Sequence, residues 1–190
     1  MDSKTLLQDE LHWSTIGHDD QPLRELKAWL LDRFILPDPS FHGPEHWLRV
    51  RFNGLLLAPL TGADRRVVEL FSLTHDICRL SEGRDREHGP RAARLVLDLQ
   101  HSGRLPLDAA AAERLVIACR DHSFGYRHDD PTIATCWDAD RLDLPRVGIT
   151  VRPERLCTEA ASDPALIQAA RHRALADVAT PPVRIPAAAS

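Results

Sequence analysis

Apolar residues recur every three to four positions along most of this chain, and this spacing constrains the fold more than any other feature. Residues 21–36, for example, place Leu23, Leu26, Leu30 and Phe34 on one stripe of a helix. Strict alternation of apolar and polar residues, which is typical of a half-buried strand, is hard to find. The sequence therefore predicts an all-α fold.

Prolines, glycines and polar loops divide this pattern into separate helices. The predicted helices span residues 21–36, 44–58, 65–80, 86–101, 108–121, 138–144, 153–161 and 163–178. No internal repeat or second apolar core is indicated. We therefore expect a single domain over residues 1–180, followed by a flexible proline- and alanine-rich tail over 181–190.

Size and charge exclude several classes of protein. The chain has 190 residues and a net charge of −4, whereas proteins that bind extended nucleic acid more often carry a basic surplus. No apolar run approaches the roughly 20 residues that cross a bilayer. The four cysteines form no CxxC pair, so no disulfide framework or zinc knuckle is indicated. We expect a cytoplasmic protein that binds neither a membrane nor nucleic acid.

The first candidate for a functional site is the pair His75–Asp76, which lies in the middle of a predicted apolar helix, in the segment FSLTHDICRL. A buried carboxylate is costly to desolvate unless something compensates its charge. A divalent cation does so, because neutral imidazole and carboxylate both bind first-row metals. Taken alone, the dipeptide fits a hydrogen-bonded structural pair equally well.

Two further segments place histidine and aspartate on other predicted helices. His46 lies in HGPEHWLRV, and Asp138 and Asp140 lie in CWDADRLDLPRVG. The order His, then His–Asp, then Asp resembles the metal-ligand order of the bacterial phosphohydrolases of the HD superfamily. The motifs that carry this resemblance extend from residue 42 to about residue 150.

The resemblance implies an all-helical bundle around a central metal ion held by His46, His75, Asp76 and Asp140. Asp140 is preferred to Asp138 because the acid directly before the arginine of ADRL matches the family ligand. Asp138 and His42 are then expected to support the ligands from outside. The implied cofactor is a divalent ion (Mn, Fe, Zn, Co, Ni or Mg).

The number of metal ions is left open by two more histidines, His88 and His122, which lie between the His–Asp pair and Asp140. In dinuclear members of the superfamily, histidines in this interval bind a second ion. The short spacing from Asp76 to His88 instead favours one ion, with His88, His122 and Asp85 lining the pocket. Both alternatives stay open, with a preference for one ion.

The implied reaction is hydrolysis of a nucleotide or another small phosphate ester by metal-activated water. Asp76 would bind the metal and orient the water, and Glu87 or Asp85 would act as the general base. Arginine grips phosphate through paired donors. The best candidates for binding phosphate are Arg49, Arg79 and Arg141.

Two other functions are compatible with the same residues. One is a di-iron HD-type oxygenase that cleaves a small phosphonate or polyol. The other is a non-catalytic module that binds a nucleotide through the metal pocket. Bound iron with oxygen-dependent turnover would indicate the first, and tight nucleotide binding without turnover would indicate the second.

Overall fold

A computed structural model of the protein describes residues 16–176, and within this range the secondary structure is helical, with no strand. The α-helices are α1 (Gln21–Arg33), α2 (Pro44–Thr61), α3 (Arg65–Thr74), α4 (His88–His101), α5 (Ala109–Asp121), α6 (Pro131–Arg141) and α7 (Pro164–Ala176). The predicted all-α class is confirmed. The predicted C-terminal tail, residues 181–190, lies outside the described residues.

Aspartate residues begin four of these helices. Asp20, Asp64, Asp108 and Asp130 each accept hydrogen bonds from backbone N–H groups in the first turn of α1, α3, α5 and α6 respectively. These groups have no partner inside the helix, so each carboxylate satisfies donors that would otherwise be lost. The helix starts are therefore encoded locally in the sequence.

Several predicted boundaries are wrong. The helix predicted over 65–80 ends at Thr74, and the helix predicted over 138–144 begins at Pro131, where Asp130 caps it. The helix predicted over 153–161 is replaced by two short 3₁₀ turns. Helix α2 continues past Pro59 to Thr61 and is capped by Gly62, whose φ of 74° is the left-handed conformation that glycine tolerates.

Helix α2 is the centre of the domain, with twelve of its eighteen residues buried. It packs between α3 and α6, and α4 and α5 pack against each other beside them. Trp47 of α2 and Trp137 of α6 are both buried in this core, and each indole N–H donates to a backbone carbonyl. Even so, none of the helices between residues 16 and 176 has the length and apolarity needed to cross a bilayer.

Two glycines allow helices to approach closely. A Cβ at Gly54 would lie 2.4 Å from a Val68 methyl group, and a Cβ at Gly89 would lie 2.6 Å from the backbone oxygen of Arg120. The second contact is with main chain, which cannot move aside as a flexible side chain can. Gly89 therefore fixes how closely the start of α4 lies to the end of α5.

We expect Gly89→Ala to lower the free energy of unfolding by about 1–3 kcal/mol, because the added methyl group overpacks a backbone contact. Urea denaturation followed by circular dichroism measures this change. Gly83→Ala is the matched control, since a Cβ at Gly83 would meet only the Ser81 hydroxyl, at 4.0 Å. Equal stability of the two variants would contradict the close-approach role of Gly89.

Candidate metal centre

Five helices bring their ends or inner faces to one buried point. His46 comes from α2, His75–Asp76 directly follow α3, and Asp140 lies in the last turn of α6. His88 is the first residue of α4, and His122 directly follows α5. Adjacent residues of a helix point about 100° apart. The end of α3 at Thr74 thus allows His75 and Asp76 to contribute to the same site.

His46, His75 and Asp140 form the first group of side chains that could hold a metal ion. His46 Nε2 lies 3.1 Å from His75 Nε2 and 3.3 Å from Asp140 Oδ1. Both histidines are fully buried. This group combines three of the four predicted ligands, from α2, from the residue that follows α3 and from α6.

Asp76, His88 and His122 form a second such group. His88 Nε2 lies 2.9 Å from His122 Nε2 and 3.3 Å from Asp76 Oδ1. All three residues are buried. The structure therefore gives His88 and His122 the geometry of metal ligands. The preference for a single ion rested on the short spacing from Asp76 to His88 in the sequence. The structure does not support that preference, because these two residues do meet.

The two carboxylate oxygens of Asp76 face different groups. Oδ2 lies 3.6 Å from both His46 Nε2 and His75 Nε2, whereas Oδ1 faces the second group, 3.3 Å from His88 Nε2 and 3.6 Å from His122 Nε2. A carboxylate in this position can bind two cations at once, one through each oxygen.

In the four histidines of the two groups, Nδ1, the ring nitrogen that points away from the centre, contacts an oxygen acceptor. Nδ1 of His46 contacts the Asp143 carboxylate at 2.7 Å, and Nδ1 of His75 contacts the Phe71 carbonyl at 3.1 Å. Nδ1 of His88 and of His122 contact the carbonyls of Asp85 and Cys119. These acceptors place the proton of a neutral ring on Nδ1, so each Nε2 presents a lone pair to the centre.

The two Nε2 atoms of each histidine pair are close enough to bind one cation together. With both rings protonated at Nδ1, no hydrogen lies between His46 Nε2 and His75 Nε2, and the same holds for His88 and His122. Ligand nitrogens about 2.1 Å from an ion, at tetrahedral or octahedral angles, are roughly 3.0–3.4 Å apart. The separations of 3.1 and 2.9 Å are close to this range. The residues therefore fit divalent metal ions.

Burial and charge set the protonation of the site. Burial favours the neutral ring of His75 and lowers its pKa to about 3. Burial alone would raise the pKa of Asp76, but the electrostatic effect of His75 and the nearby rings of His122 and His42 hold that pKa well below its usual value. At neutral pH the site thus offers a neutral imidazole at His75 and an ionised carboxylate at Asp76, as metal binding requires.

Asp143 is a residue of the site that the sequence did not single out. It is 1% exposed and accepts hydrogen bonds from His46 Nδ1 and from Arg49 Nε, the latter at 2.8 Å. Asp143 thus orients His46, and Arg49 supports Asp143. The prediction that Arg49 binds phosphate is not supported, because its guanidinium is buried against this carboxylate. The sequence feature that could have indicated Asp143 is its position three residues after Asp140, about one helical turn further on.

Arg79, a predicted phosphate-binding residue, and His42, a predicted supporting residue, both lie against Asp76. His42 Nδ1 is 2.9 Å from Asp76 Oδ2, and Arg79 Nε donates to Asp76 Oδ1 at 3.1 Å. His42 therefore supports a candidate ligand directly. Arg79 also lines an open cleft beside the site, and its Nη1 donates to the carbonyls of Ser81 and Gly83.

Neither predicted general base is well placed. The Asp85 carboxylate accepts hydrogen bonds from Leu80 N and Arg91 Nη2. Burial alone would raise its pKa, but these two donors lower it, so Asp85 is a weak base that holds the loop together. Glu87 is exposed and forms no hydrogen bond or ion pair with the site in the part of the chain that the structure describes.

Asp138 and Arg141 also lie outside the metal centre. Asp138 accepts hydrogen bonds from the backbone N–H groups of Cys157 and Thr158, and therefore anchors that turn instead of supporting a ligand. The Arg141 guanidinium donates to the carbonyls of Tyr126 and Arg155. Its predicted role in binding phosphate at the metal centre is not supported, because it faces a separate pocket.

Glu82 is an acidic residue near the site. The sequence did not indicate it as a functional residue, because it showed only that Glu82 lies in a polar loop. Both of its carboxylate oxygens are buried, and neither has a hydrogen-bond partner among the described residues. Oε2 lies 3.9 Å from His42 Nε2. His42 thus lies between the carboxylates of Asp76 and Glu82.

A cleft of about 490 Å³ opens beside the second group. It is lined by His88, Asp85, Ser123, Phe124 and the three arginines Arg79, Arg84 and Arg86. The one acid in its lining, Asp85, is paired with Arg91, which lies outside the lining. The cleft therefore carries a net positive charge next to a candidate metal ligand.

Comparisons with known proteins give one informative match. No protein-family model matches the chain, and a search of curated proteins also finds no match. Among solved structures, the chain is similar to a predicted HD superfamily hydrolase from an uncultured Thermotogales bacterium, with a TM-score of 0.61 and 23% sequence identity. The match covers 82% of this chain and 88% of the other. The chain thus has the fold of the HD superfamily, as its motifs predicted.

We expect Asp143→Asn to weaken metal binding by about 10–100-fold, the usual effect of removing the carboxylate that orients a ligating histidine. Competition with a fluorescent chelator measures the affinity for Mn²⁺ or Zn²⁺. Asp138→Asn serves as control. It also removes the charge of a buried carboxylate, but Asp138, unlike Asp143, does not contact the histidines of the centre. A larger loss of affinity in the control would assign the supporting role to Asp138.

Proposed function

We propose that this protein is a metal-dependent phosphohydrolase that acts on a nucleotide or another small phosphate ester. The observation that carries the proposal is the position of the arginine-lined cleft, which shares His88 with the second candidate metal group. The structural neighbour, described as a predicted HD superfamily hydrolase, supports hydrolysis as the class of reaction. The phosphate specificity rests on the chemistry of the cleft.

We assign two metal ions to the site. His46, His75 and Asp140 would hold one, His88 and His122 would hold the other, and Asp76 would share its two oxygens between them. When bound, divalent ions lower the pKa of a water molecule and neutralise charge on a phosphoryl group. The chain's part is to fix the rings through their Nδ1 hydrogen bonds, so that no reorganisation is needed during the reaction.

The arginines of the cleft bind and orient the phosphate. Arg84 and Arg86 are exposed and form no ion pair among residues 16–176, so their guanidinium groups can grip phosphate oxygens. Arg79 is nearest to the metal centre through its contact with Asp76 Oδ1. Together these residues hold the reacting group next to the second candidate metal group.

An aromatic pair at the rim favours a substrate with a planar group, such as a nucleobase. Phe124 lines the cleft and stacks with Tyr126, with ring centroids 5.6 Å apart and planes at 29°. Both side chains are about half exposed, at 47% and 58%. Aromatic faces open to solvent beside a charged cleft can stack against a planar ligand.

Glu82 and His42 are the groups best placed to handle a proton. The Glu82 oxygens lack donors of their own, and His42 connects this carboxylate to Asp76. In this arrangement Glu82 accepts a proton and His42 holds Asp76 in position. They replace Asp85 and Glu87 in the proposed mechanism.

The proposal predicts release of phosphate or pyrophosphate from a panel of nucleotides and sugar phosphates with Mn²⁺, Co²⁺, Mg²⁺, Zn²⁺ or Fe²⁺. Activity should disappear in Asp76→Ala, which removes the shared ligand.

Arg84→Gln with Arg86→Gln should raise KM for the substrate more than it lowers kcat. Arg65→Gln with Arg94→Gln removes two other exposed arginines, from α3 and α4, and should leave both constants unchanged.

No release from any substrate with any metal would contradict the proposal. Oxygen uptake with Fe²⁺ and a phosphonate or polyol would instead identify the di-iron oxygenase. Tight nucleotide binding without turnover would identify the non-catalytic module. Phosphate release and oxygen uptake measured on the same preparation therefore distinguish the three functions.

Glu82→Gln should lower kcat substantially while metal content stays unchanged, because the substitution removes a proton acceptor and no candidate ligand. Glu87→Gln is the matched control, since Glu87 lies at the end of the same loop but is exposed. Steady-state kinetics and metal analysis of both variants check this prediction. A greater loss of kcat in Glu87→Gln would restore the general base that the sequence suggested.

A further inference from the structure

A second pocket, separate from the metal centre, is also rich in arginine. It has a volume of about 330 Å³ and lies between the end of α6 and the segment that follows it. Its charged lining consists of Arg141, Arg152 and Arg155, and no acidic side chain contributes to it. None of the residues of the metal centre lines this pocket.

The three guanidinium groups leave a positive charge that the pocket itself does not neutralise. Arg152 and Arg155 form no ion pair within the described part of the chain. Arg141 pairs only loosely with Asp138, whose Oδ1 lies 3.9 Å away and already accepts the N–H of Cys157. Three positive charges around one concave surface attract an anion, and a bound anion lowers the repulsion between them.

The rest of the lining is mostly apolar. Leu144, Ile149, Val151 and Leu156 form it together with Thr150. Ile149 is 52% exposed, although it lies beside the arginines. A concave apolar surface with a few charged groups is typical of a small-molecule site. The ligand that fits combines a compact anion with an apolar part.

We propose that this arginine pocket, defined by Arg141, Arg152 and Arg155, is a second binding site for a small organic phosphate or phosphonate. Arginine is suited to such an anion because its planar fork donates two parallel hydrogen bonds to the oxygens. The site is independent of the proposed hydrolysis, since it uses none of the residues assigned to that reaction.

Arg141 connects this site to the rim of the catalytic cleft. Its Nη2 donates to the Tyr126 carbonyl at 2.6 Å, and its Nη1 donates to the Arg155 carbonyl at 3.0 Å. An anion that draws on the same guanidinium competes with these carbonyls.

Isothermal titration of the full chain with phenylphosphonate tests the proposal, because this probe carries an apolar ring and is not a phosphate ester. The metal-loaded wild type should bind it at two sites. Asp76→Ala should retain the site in the arginine pocket. Arg152→Glu with Arg155→Glu, introduced into Asp76→Ala, should weaken that remaining site at least about tenfold.

The control is Arg94→Glu with Arg171→Glu in the same Asp76→Ala background, which reverses two exposed charges elsewhere on the surface. This control should bind as Asp76→Ala does. Complete loss of binding in Asp76→Ala, or equal affinity in the two charge-reversal variants, would overturn the proposal. Methylphosphonate should bind more weakly than phenylphosphonate, and equal binding would remove the role of the apolar lining.

Discussion

The burial of one carboxylate, Asp76, is the constraint on which the rest of the structure depends. Asp76 is 3% exposed and lies within 4 Å of five histidine rings and one guanidinium group. An isolated carboxylate in such a place would be strongly destabilising. The surrounding positive and polarisable groups compensate it. Histidines from α2 and α4 and from the residues that follow α3 and α5 contribute to that compensation, whereas α6 contributes a second carboxylate, Asp140.

The helix ends follow from this requirement. Four of the five histidines present Nε2 to the centre and must therefore place Nδ1 against an acceptor. For His75, His88 and His122 the acceptor is a backbone carbonyl three or four residues earlier. A carbonyl oxygen has two lone pairs, so those of Phe71 and Asp85 accept a ring N–H as well as a backbone N–H. All three carbonyls lie near the end or the start of a helix, and Gly89 allows two such helix ends to meet.

The sequence predicted the helical class and the four side chains of the HD-type motif because both are local patterns. Apolar spacing showed the helices, and His46, His75, Asp76 and Asp140 lie in short motifs. The sequence did not show Asp143 and Glu82, whose roles depend on which loops meet after folding. It also placed His75 and Asp76 inside a helix, since no residue between 74 and 80 is a strong helix breaker. Arg49 and Arg141 were assigned by their distance in sequence from a ligand, and tertiary packing turns both to structural partners.

The central claim is that Asp76 is shared between two metal ions. The most direct measurement is the anomalous scattering of crystals grown with Mn²⁺, combined with metal analysis of the same protein. We expect two peaks per chain, one beside His46, His75 and Asp140 and the other beside His88 and His122, with the carboxylate of Asp76 between them. A single peak at saturating Mn²⁺, or peaks away from these residues, would contradict it.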